Sequence, residues 1–140
     1  MVTNIEAYDS IVDAHLAAKI SKMATTKIKT HKKRGFKIQT NKGEIMMLIY
    51  HGLKNPCPYC GGTMEIPELV DGKPHPHNMM TLEVVNPSNR VLSKENIVMA
   101  CERCNNMKGP MDLPVFFKQC KKVLNHLETM DFGGNYYVRS

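Results

Sequence analysis

The sequence contains no apolar segment long enough for a signal peptide or a transmembrane helix, no internal repeat and no low-complexity tract. Its five cysteines are an odd number, which argues against a secreted scaffold held by paired disulfides. These absences favour a reducing, cytoplasmic compartment and no contact with a membrane. With 140 residues, 42% of them apolar, we expect one small domain with a modest core.

Acidic residues are scarce: thirteen Asp and Glu against nineteen Lys and Arg give a net charge of +6, which favours an anionic partner. The clearest concentration is at residues 27–42, KIKTHKKRGFKIQTNK, which include seven Lys or Arg and no acid. Gly35 and a short alternating segment at 36–39 would hold this strip on a fixed edge. We therefore expect nucleic acid, with DNA as the first candidate, to contact the strip; a solvated helix end is the alternative. The candidate phosphate contacts are Lys27, Lys29, Lys32, Lys33, Arg34 and Lys37.

Two cysteine pairs, Cys57/Cys60 and Cys101/Cys104, each have the spacing with which two thiolates hold one side of a tetrahedral Zn²⁺. Two glycines directly after Cys60 allow the sharp turn of a zinc knuckle, and residues 104–109 resemble a short helix that starts at the second pair. A knuckle, a hairpin and then a helix are the order of a treble-clef module. A structural zinc site is thus the leading hypothesis, and two disulfides or four unrelated buried thiols are the alternatives.

Two helices are predicted before the first cysteine pair. A capping box at residues 3–6 starts the first helix, which we expect to end near residue 25. Asn41 and Glu44 are expected to cap the second helix, at 44–51, and Gly52 to end it. The first helix should bury one face, formed by Ile5, Tyr8, Val12, Leu16, Ile20 and Met23.

The remaining elements surround the second cysteine pair. Three prolines at 64–78 predict a loop, whereas the apolar and β-branched residues 80–85 predict a strand. A second apolar run at 97–100 leads directly into Cys101. A last helix begins at Asp112 and Pro114, with Gly133 after its end. Its apolar face is expected to be buried, with Cys120 as a buried thiol; the face consists of Phe116, Cys120, Val123, Leu124 and Leu127.

Three segments resemble the zinc-braced HNH endonucleases, particularly their phage-type members: CPYCGG at 57–62, TLEVVNPSN at 81–89 and ENIVMACERCNNMKG at 95–109. The resemblance extends over residues 27–117 and implies a ββα-metal core inside a treble clef. It also implies that Glu83 and Asn105 bind a catalytic divalent ion, Mg²⁺ or Mn²⁺, and that Asn96 fixes the loop behind that ion. Without the resemblance, Glu83 would be a surface carboxylate and Asn105 a helix cap.

Most HNH nucleases carry the histidine that activates water immediately after the strand carboxylate, where this chain has Val84. Because valine cannot accept a proton, hydrolysis would need another base, such as His75 or His77. More often, histidines in a proline-rich loop are simply exposed. Lys108, one turn after the last cysteine, is expected either to contact phosphate or to be solvated.

These observations predict an α+β domain with basic N-terminal helices at 1–52, a zinc-braced HNH-like core at 53–111 and a C-terminal helix and tail at 112–140. The first functional hypothesis is a metal-dependent nuclease or nicking enzyme acting on DNA. The second is a catalytically lapsed HNH-fold module that binds DNA or a host protein. The first depends on Glu83, Asn96 and Asn105, and the second on Val84.

Overall fold

The computed structural model describes residues 14–130, so the predicted capping box at 3–6, the apolar residues before 14 and the glycine at 133 lie outside the described residues. Helix α1 runs over Ala14–Lys33 and buries Ile20 and Ala24. The predicted end near residue 25 is wrong, because Ile28 adds a further apolar contact with the core and the chain continues as helix. Gly35 then stops the helix with a positive φ of 85°.

Helix α2 runs over Lys42–Lys54, and the side chain of its N-cap, Asn41, accepts a hydrogen bond from the backbone N–H of Glu44. The predicted cap is confirmed, but the predicted stop at Gly52 is wrong, because this glycine lies buried within the helix. A Cβ atom at that position would lie 3.0 Å from the Met80 side chain and 3.2 Å from that of Met99. The glycine therefore permits close packing of α2 against the hairpin described next.

Two small sheets follow. Strands β2, Met80–Val84, and β4, Ile97–Cys101, form an antiparallel hairpin in which Glu83 pairs with Val98. Strand β1, Lys37–Gln39, pairs in parallel with β3, Val91–Ser93. A short 3₁₀ helix over Pro87–Asn89 connects β2 to β3. The described residues thus form a mixed α+β domain, as predicted.

Helix α3, Glu102–Lys108, continues directly from β4 and ends at Gly109, in agreement with the prediction. It packs against both β2 and β4, and α2 packs against α1 and β4. The core lies between these elements, and its most completely buried apolar side chains are Ile20, Ala24, Ile45, Ile49, Leu92 and Ala100. Residues 64–78 form a loop, as predicted, with one isolated bridge between Glu65 and Met79.

Helix α4, Leu113–Leu127, begins at the predicted Asp112, but its predicted burial is wrong. Phe116 is buried and contacts Tyr59, whereas Cys120, Val123, Leu124 and Leu127 are exposed. The helix leaves the domain after its first turn, so no described element covers its apolar face beyond Phe116. Among the described residues, no helix combines the length and the hydropathy that crossing a bilayer requires.

Candidate metal centre and basic groove

The four paired cysteines form one cluster, in which the sulfur atoms all lie within 4.8 Å of one another. The Cys60 and Cys101 sulfurs are 3.8 Å apart. This matches the roughly 3.8 Å edge of a tetrahedron whose metal–sulfur bonds are about 2.3 Å long, and it is far from the roughly 2.05 Å of a disulfide. All four cysteines are free thiols. The cluster could therefore hold a metal ion, and the structure does not support the disulfide alternative.

Backbone N–H groups point at these sulfurs and would stabilise thiolates. Gly62 N–H donates to Cys60 Sγ at 3.4 Å, Cys101 N–H to Cys57 Sγ at 3.5 Å, and Cys104 N–H to Cys101 Sγ at 3.4 Å. Gly61 adopts a φ of 77°, which lets the chain turn directly after the first pair. The knuckle is closed by a hydrogen bond of 2.7 Å from Cys57 N–H to the Gly62 carbonyl.

The thiolate forms of the buried cysteines are costly unless a cation compensates them. Burial, together with the neighbouring sulfurs, raises the pKa of the Cys104 thiol, and burial raises that of Cys101. Burial acts in the same direction on Cys57, but backbone N–H donors outweigh it and lower the pKa of that thiol to about 7. Four thiolates this close together need a positive charge between them, which a divalent metal ion supplies.

A groove of about 560 Å³ lies beside the hairpin. Its lining comes from the C-terminal half of α1, from the 3₁₀ turn and Arg90, and from β2 and the middle of α3, which form its base. The lining residues are Lys27, Thr30, His31, Arg34, Phe36, Leu82, Glu83, Val84, Pro87, Arg90, Asn105, Asn106, Gly109 and Pro110. We call this the basic groove, because three of its rim residues, Lys27, Arg34 and Arg90, are cationic.

The basic strip predicted from the sequence is divided between this groove and the neighbouring surface. Lys27 and Arg34 line the groove. Burial, and then the charge of Arg34, lower the pKa of Lys27, so the two cations are close enough to repel each other. The other predicted phosphate contacts are exposed but do not line the groove: Lys29, Lys32, Lys33 and Lys37.

Arg90 is a groove residue that the sequence analysis missed. Its guanidinium lies 4.4 Å from the centroid of the Phe36 ring and donates a hydrogen bond to the carbonyl of Arg34. Its backbone is in the left-handed region, with φ 56°, a conformation that costs a non-glycine residue free energy. The sequence around Arg90 does not indicate that this arginine lines a groove, because the Phe36 ring that it contacts lies 54 positions earlier in the chain.

Glu83 is buried and not a surface carboxylate, and each of its two carboxylate oxygens accepts a hydrogen bond. Its side chain is 3% exposed; Lys108 Nζ donates to its Oε1 at 3.2 Å, and the Tyr59 hydroxyl donates to its Oε2. Burial and the Glu83 carboxylate raise the pKa of the Tyr59 phenol, which therefore remains a proton donor. Lys108 itself is 0% exposed and also donates to the Val84 carbonyl at 2.9 Å. The expectation that Lys108 contacts phosphate or is solvated is therefore wrong.

The two asparagines have different roles in the structure. Asn105 lines the groove and donates to Thr81 Oγ1 at 2.9 Å; it does not cap α3, because Cys101 does. Asn96 is buried, and its side chain both accepts from Asn86 N–H and donates to the carbonyls of Asn86 and Val91. It thereby fastens the 3₁₀ turn to β3.

The two histidines named above as a possible replacement base do not line the basic groove. His75 and His77 are exposed on the loop and do not line the groove, and His75 Nδ1 lies 3.3 Å from Glu102 Oε1. His31 lines it instead, 7% exposed, with its ring edge-on to Phe36 and its Nδ1 donating to the Lys27 carbonyl at 2.7 Å. Burial is the largest cause that lowers the pKa of His31.

Comparison with protein-family models, with curated proteins and with solved structures finds no match to this chain. The resemblance to HNH endonucleases therefore depends on the sequence segments alone.

Proposed function

We propose that this protein is a zinc-braced module that binds nucleic acid in the basic groove and does not hydrolyse it. Zn²⁺ is the ion proposed for the four-cysteine cluster, because an all-sulfur tetrahedral donor set in two CxxC pairs suits that metal. The ion would bind the knuckle to α3. Since α3 and β2 form the base of the groove, the ion would also hold that base in place.

The charges around the groove support binding to a phosphate backbone. Lys27, Arg34 and Arg90 line the groove, and four further lysines of the strip are exposed outside it. The acid in the groove, Glu83, is compensated by a buried ammonium, so it does not oppose an incoming phosphate. DNA is the proposed partner, and a host protein is the alternative if binding proves independent of salt.

The observation that favours binding over cleavage is the position of Lys108. A catalytic ion bound by Glu83 would have to displace an ammonium that is 0% exposed and 3.2 Å from the carboxylate, or else share the carboxylate with it. Either step is costly, because breaking a buried pair leaves an uncompensated charge. The lysine thus supplies the positive charge that a metal ion supplies in a hydrolytic site.

A nuclease remains the second candidate, because Glu83, Asn105 and His31 line the same groove. His31 is buried and has a lowered pKa, so it is uncharged near neutral pH and able to accept a proton. Asn105 and Glu83 offer the oxygen atoms that Mg²⁺ or Mn²⁺ would require. In this second proposal His31 replaces His75 or His77 as the base.

Binding is tested by fluorescence anisotropy with a labelled duplex of about 20 base pairs, titrated at several salt concentrations. If about five phosphates are neutralised, log K should fall with log salt with a slope of about −4.5. Replacing Lys27 and Arg34 by Gln should weaken binding about tenfold and reduce the slope by about 2. The matched control replaces Lys118 and Lys122 on α4 by Gln and loses the same charge outside the groove. Equal effects of the two variants, or a flat salt dependence, would contradict the proposal.

Cleavage is tested with a supercoiled plasmid and Mg²⁺ or Mn²⁺. We expect no nicking by the natural protein, and none by Val84→His, because Lys108 still occupies Glu83. Glu83→Gln is the required control: its amide oxygen can still accept from Lys108, and its NH₂ group can donate to the Tyr59 hydroxyl. Urea unfolding checks that this variant is folded, because Lys108 loses its compensating carboxylate. Metal-dependent nicking that disappears in Glu83→Gln would establish the nuclease and refute the binding-only proposal.

A further inference from the structure

A second cavity, which the proposed function does not use, has a volume of about 510 Å³. It is lined by helix α1, by the loop at residues 64–78 and by the start of β2. This volume is within the range of roughly 300–1,000 Å³ that is typical of ligand sites. We call the cavity the apolar cleft, because half of its lining residues are apolar. These are Met23, Ile66, Pro67, Leu69, Met79 and Met80.

The apolar cleft and the basic groove lie end to end along one face of α1, whose lining residues recur at steps of three and four. The cleft is lined by Lys19, Lys22, Met23, Thr26 and Lys27 of this helix. The groove is lined by Lys27, Thr30, His31 and Arg34. Strand β2 keeps the same order, because residues 79–81 line the cleft and residues 82–84 line the groove. The two cavities therefore form one trough that is about 18 Å long between Lys19 and His31, at 1.5 Å per residue.

The charges of the cleft suit an anion that passes from one cavity into the other. Its acid, Glu68, is compensated by Lys19, whose Nζ lies 3.0 Å from the carboxylate. Among residues 14–130, neither Lys22 nor Lys27 forms an ion pair. Lys27 lines both cavities, and burial and the charge of Arg34 lower its pKa. A phosphate at this junction would favour the charged form of Lys27.

The apolar part of the cleft suits the face of a nucleic-acid base. An unpaired nucleotide joins an anionic phosphate to an aromatic ring whose faces are accessible, and single-strand sites combine cations with surfaces that cover those faces. Met23 and Met79, both partly buried, offer thioether sulfurs, which contact aromatic rings favourably. A fully paired duplex keeps its base faces stacked and would present only sugar and phosphate to these side chains.

From this continuity we infer that the apolar cleft holds an unpaired base of the nucleic acid whose phosphates lie in the basic groove. The favoured partner is then DNA with a single-stranded end, in which the strand follows α1 from the groove into the cleft. This inference rests on the proposed function, because it requires phosphate binding in the groove.

The test is fluorescence anisotropy of the full-length, zinc-loaded protein with three forms of one labelled duplex. The first form is blunt, the second has a single-stranded end of about four adenosines, and the third has an equally long abasic end, which keeps the phosphates and lacks the bases. Ends of both polarities are tested. We expect the adenosine end to bind about tenfold more tightly than the abasic end. This ratio should be the same at about 50 and 200 mM salt, since the two ends carry equal numbers of phosphates.

A pair of variants places the base in the cleft. Leu69→Gln replaces an apolar lining residue that is 58% exposed, so it should reduce the ratio to about threefold without unfolding the protein. The matched control is Val70→Gln, the same kind of change at the next residue, which is also 58% exposed but does not line the cleft. We expect this control to leave the ratio unchanged.

Three results would overturn the inference, and they separate it from the proposed function. Salt-dependent binding of the blunt duplex, with equal affinities for the adenosine and abasic ends, would refute the inference and leave the proposed function intact. A preference for the adenosine end that the two variants affect equally would place the base on another surface. Absence of binding to all three forms, or binding that is independent of salt, would refute both proposals.

Discussion

Replacing Lys108 by Met tests the buried ion pair on which the proposed function depends. Methionine keeps the length and apolar stem of lysine but removes the ammonium, so the Glu83 carboxylate, 3% exposed, loses the partner at 3.2 Å. An uncompensated charge of this kind costs about 3–5 kcal/mol. The free energy of unfolding of a domain of this size is only about 5–15 kcal/mol, so the melting temperature should fall by about 10–20 °C.

The measurement is urea unfolding of the zinc-loaded protein, followed by circular dichroism. The matched control is Lys121→Met on the exposed part of α4, which should change the free energy of unfolding by less than about 0.5 kcal/mol. Adding Glu83→Gln to Lys108→Met removes the orphaned charge, so the double variant should recover part of the loss. A loss below about 1 kcal/mol in Lys108→Met, or strict additivity in the double variant, would refute the reasoning and leave Glu83 available for a metal ion.

Three further predictions concern the metal, the groove and the turn before it. Elemental analysis should find one zinc ion per chain. Cys101→Ser should lose the metal ion and unfold, because metal binding supplies folding free energy. Cys120→Ser, outside the cluster, should keep the metal ion and the fold. Arg90→Gly removes a cation that lines the groove, so DNA binding should weaken severalfold, measured by anisotropy. Relief of the positive φ of 56° should offset only part of the stability lost with the contacts to Phe36 and the Arg34 carbonyl. Gly35→Ala should cost about 1–2 kcal/mol in urea unfolding, because its φ of 85° disfavours a Cβ that would also lie 3.3 Å from the Arg90 guanidinium.

The cysteine cluster and the elements around it were predictable because their signals are local. Two residues between cysteines define a metal-binding pair, Asn41 and Glu44 define a cap three residues apart, and the apolar run at 97–100 leads directly into the second pair. The end of α1 was not predictable in the same way. The helix continues past residue 25 because Ile28 reaches a core that only the folded chain forms.

The predictions for Lys108 and Cys120 were wrong in opposite directions: Lys108 is buried although it was expected at the surface, and Cys120 is exposed although it was expected in the core. A lysine one turn after a cysteine of the cluster gives no sign of burial, because the Glu83 that it contacts lies 25 positions earlier in the chain. Cys120 has the helical spacing of a buried residue, but periodicity shows only that a helix has an apolar face. It does not show whether that face is covered by the same chain or by another molecule.

If the groove binds nucleic acid as proposed, the buried Lys108 predicts how Mg²⁺ affects that binding. Because its ammonium already compensates Glu83, the base of the groove is close to neutral while the rim carries Lys27, Arg34 and Arg90. A phosphate backbone would then be attracted by the rim without a divalent ion to bridge it to a carboxylate. Added Mg²⁺ should act on binding only as a competing counterion and weaken it, as sodium does at higher concentration. In a hydrolytic groove with an open carboxylate, Mg²⁺ would instead strengthen substrate binding, so the sign of its effect distinguishes the two proposals.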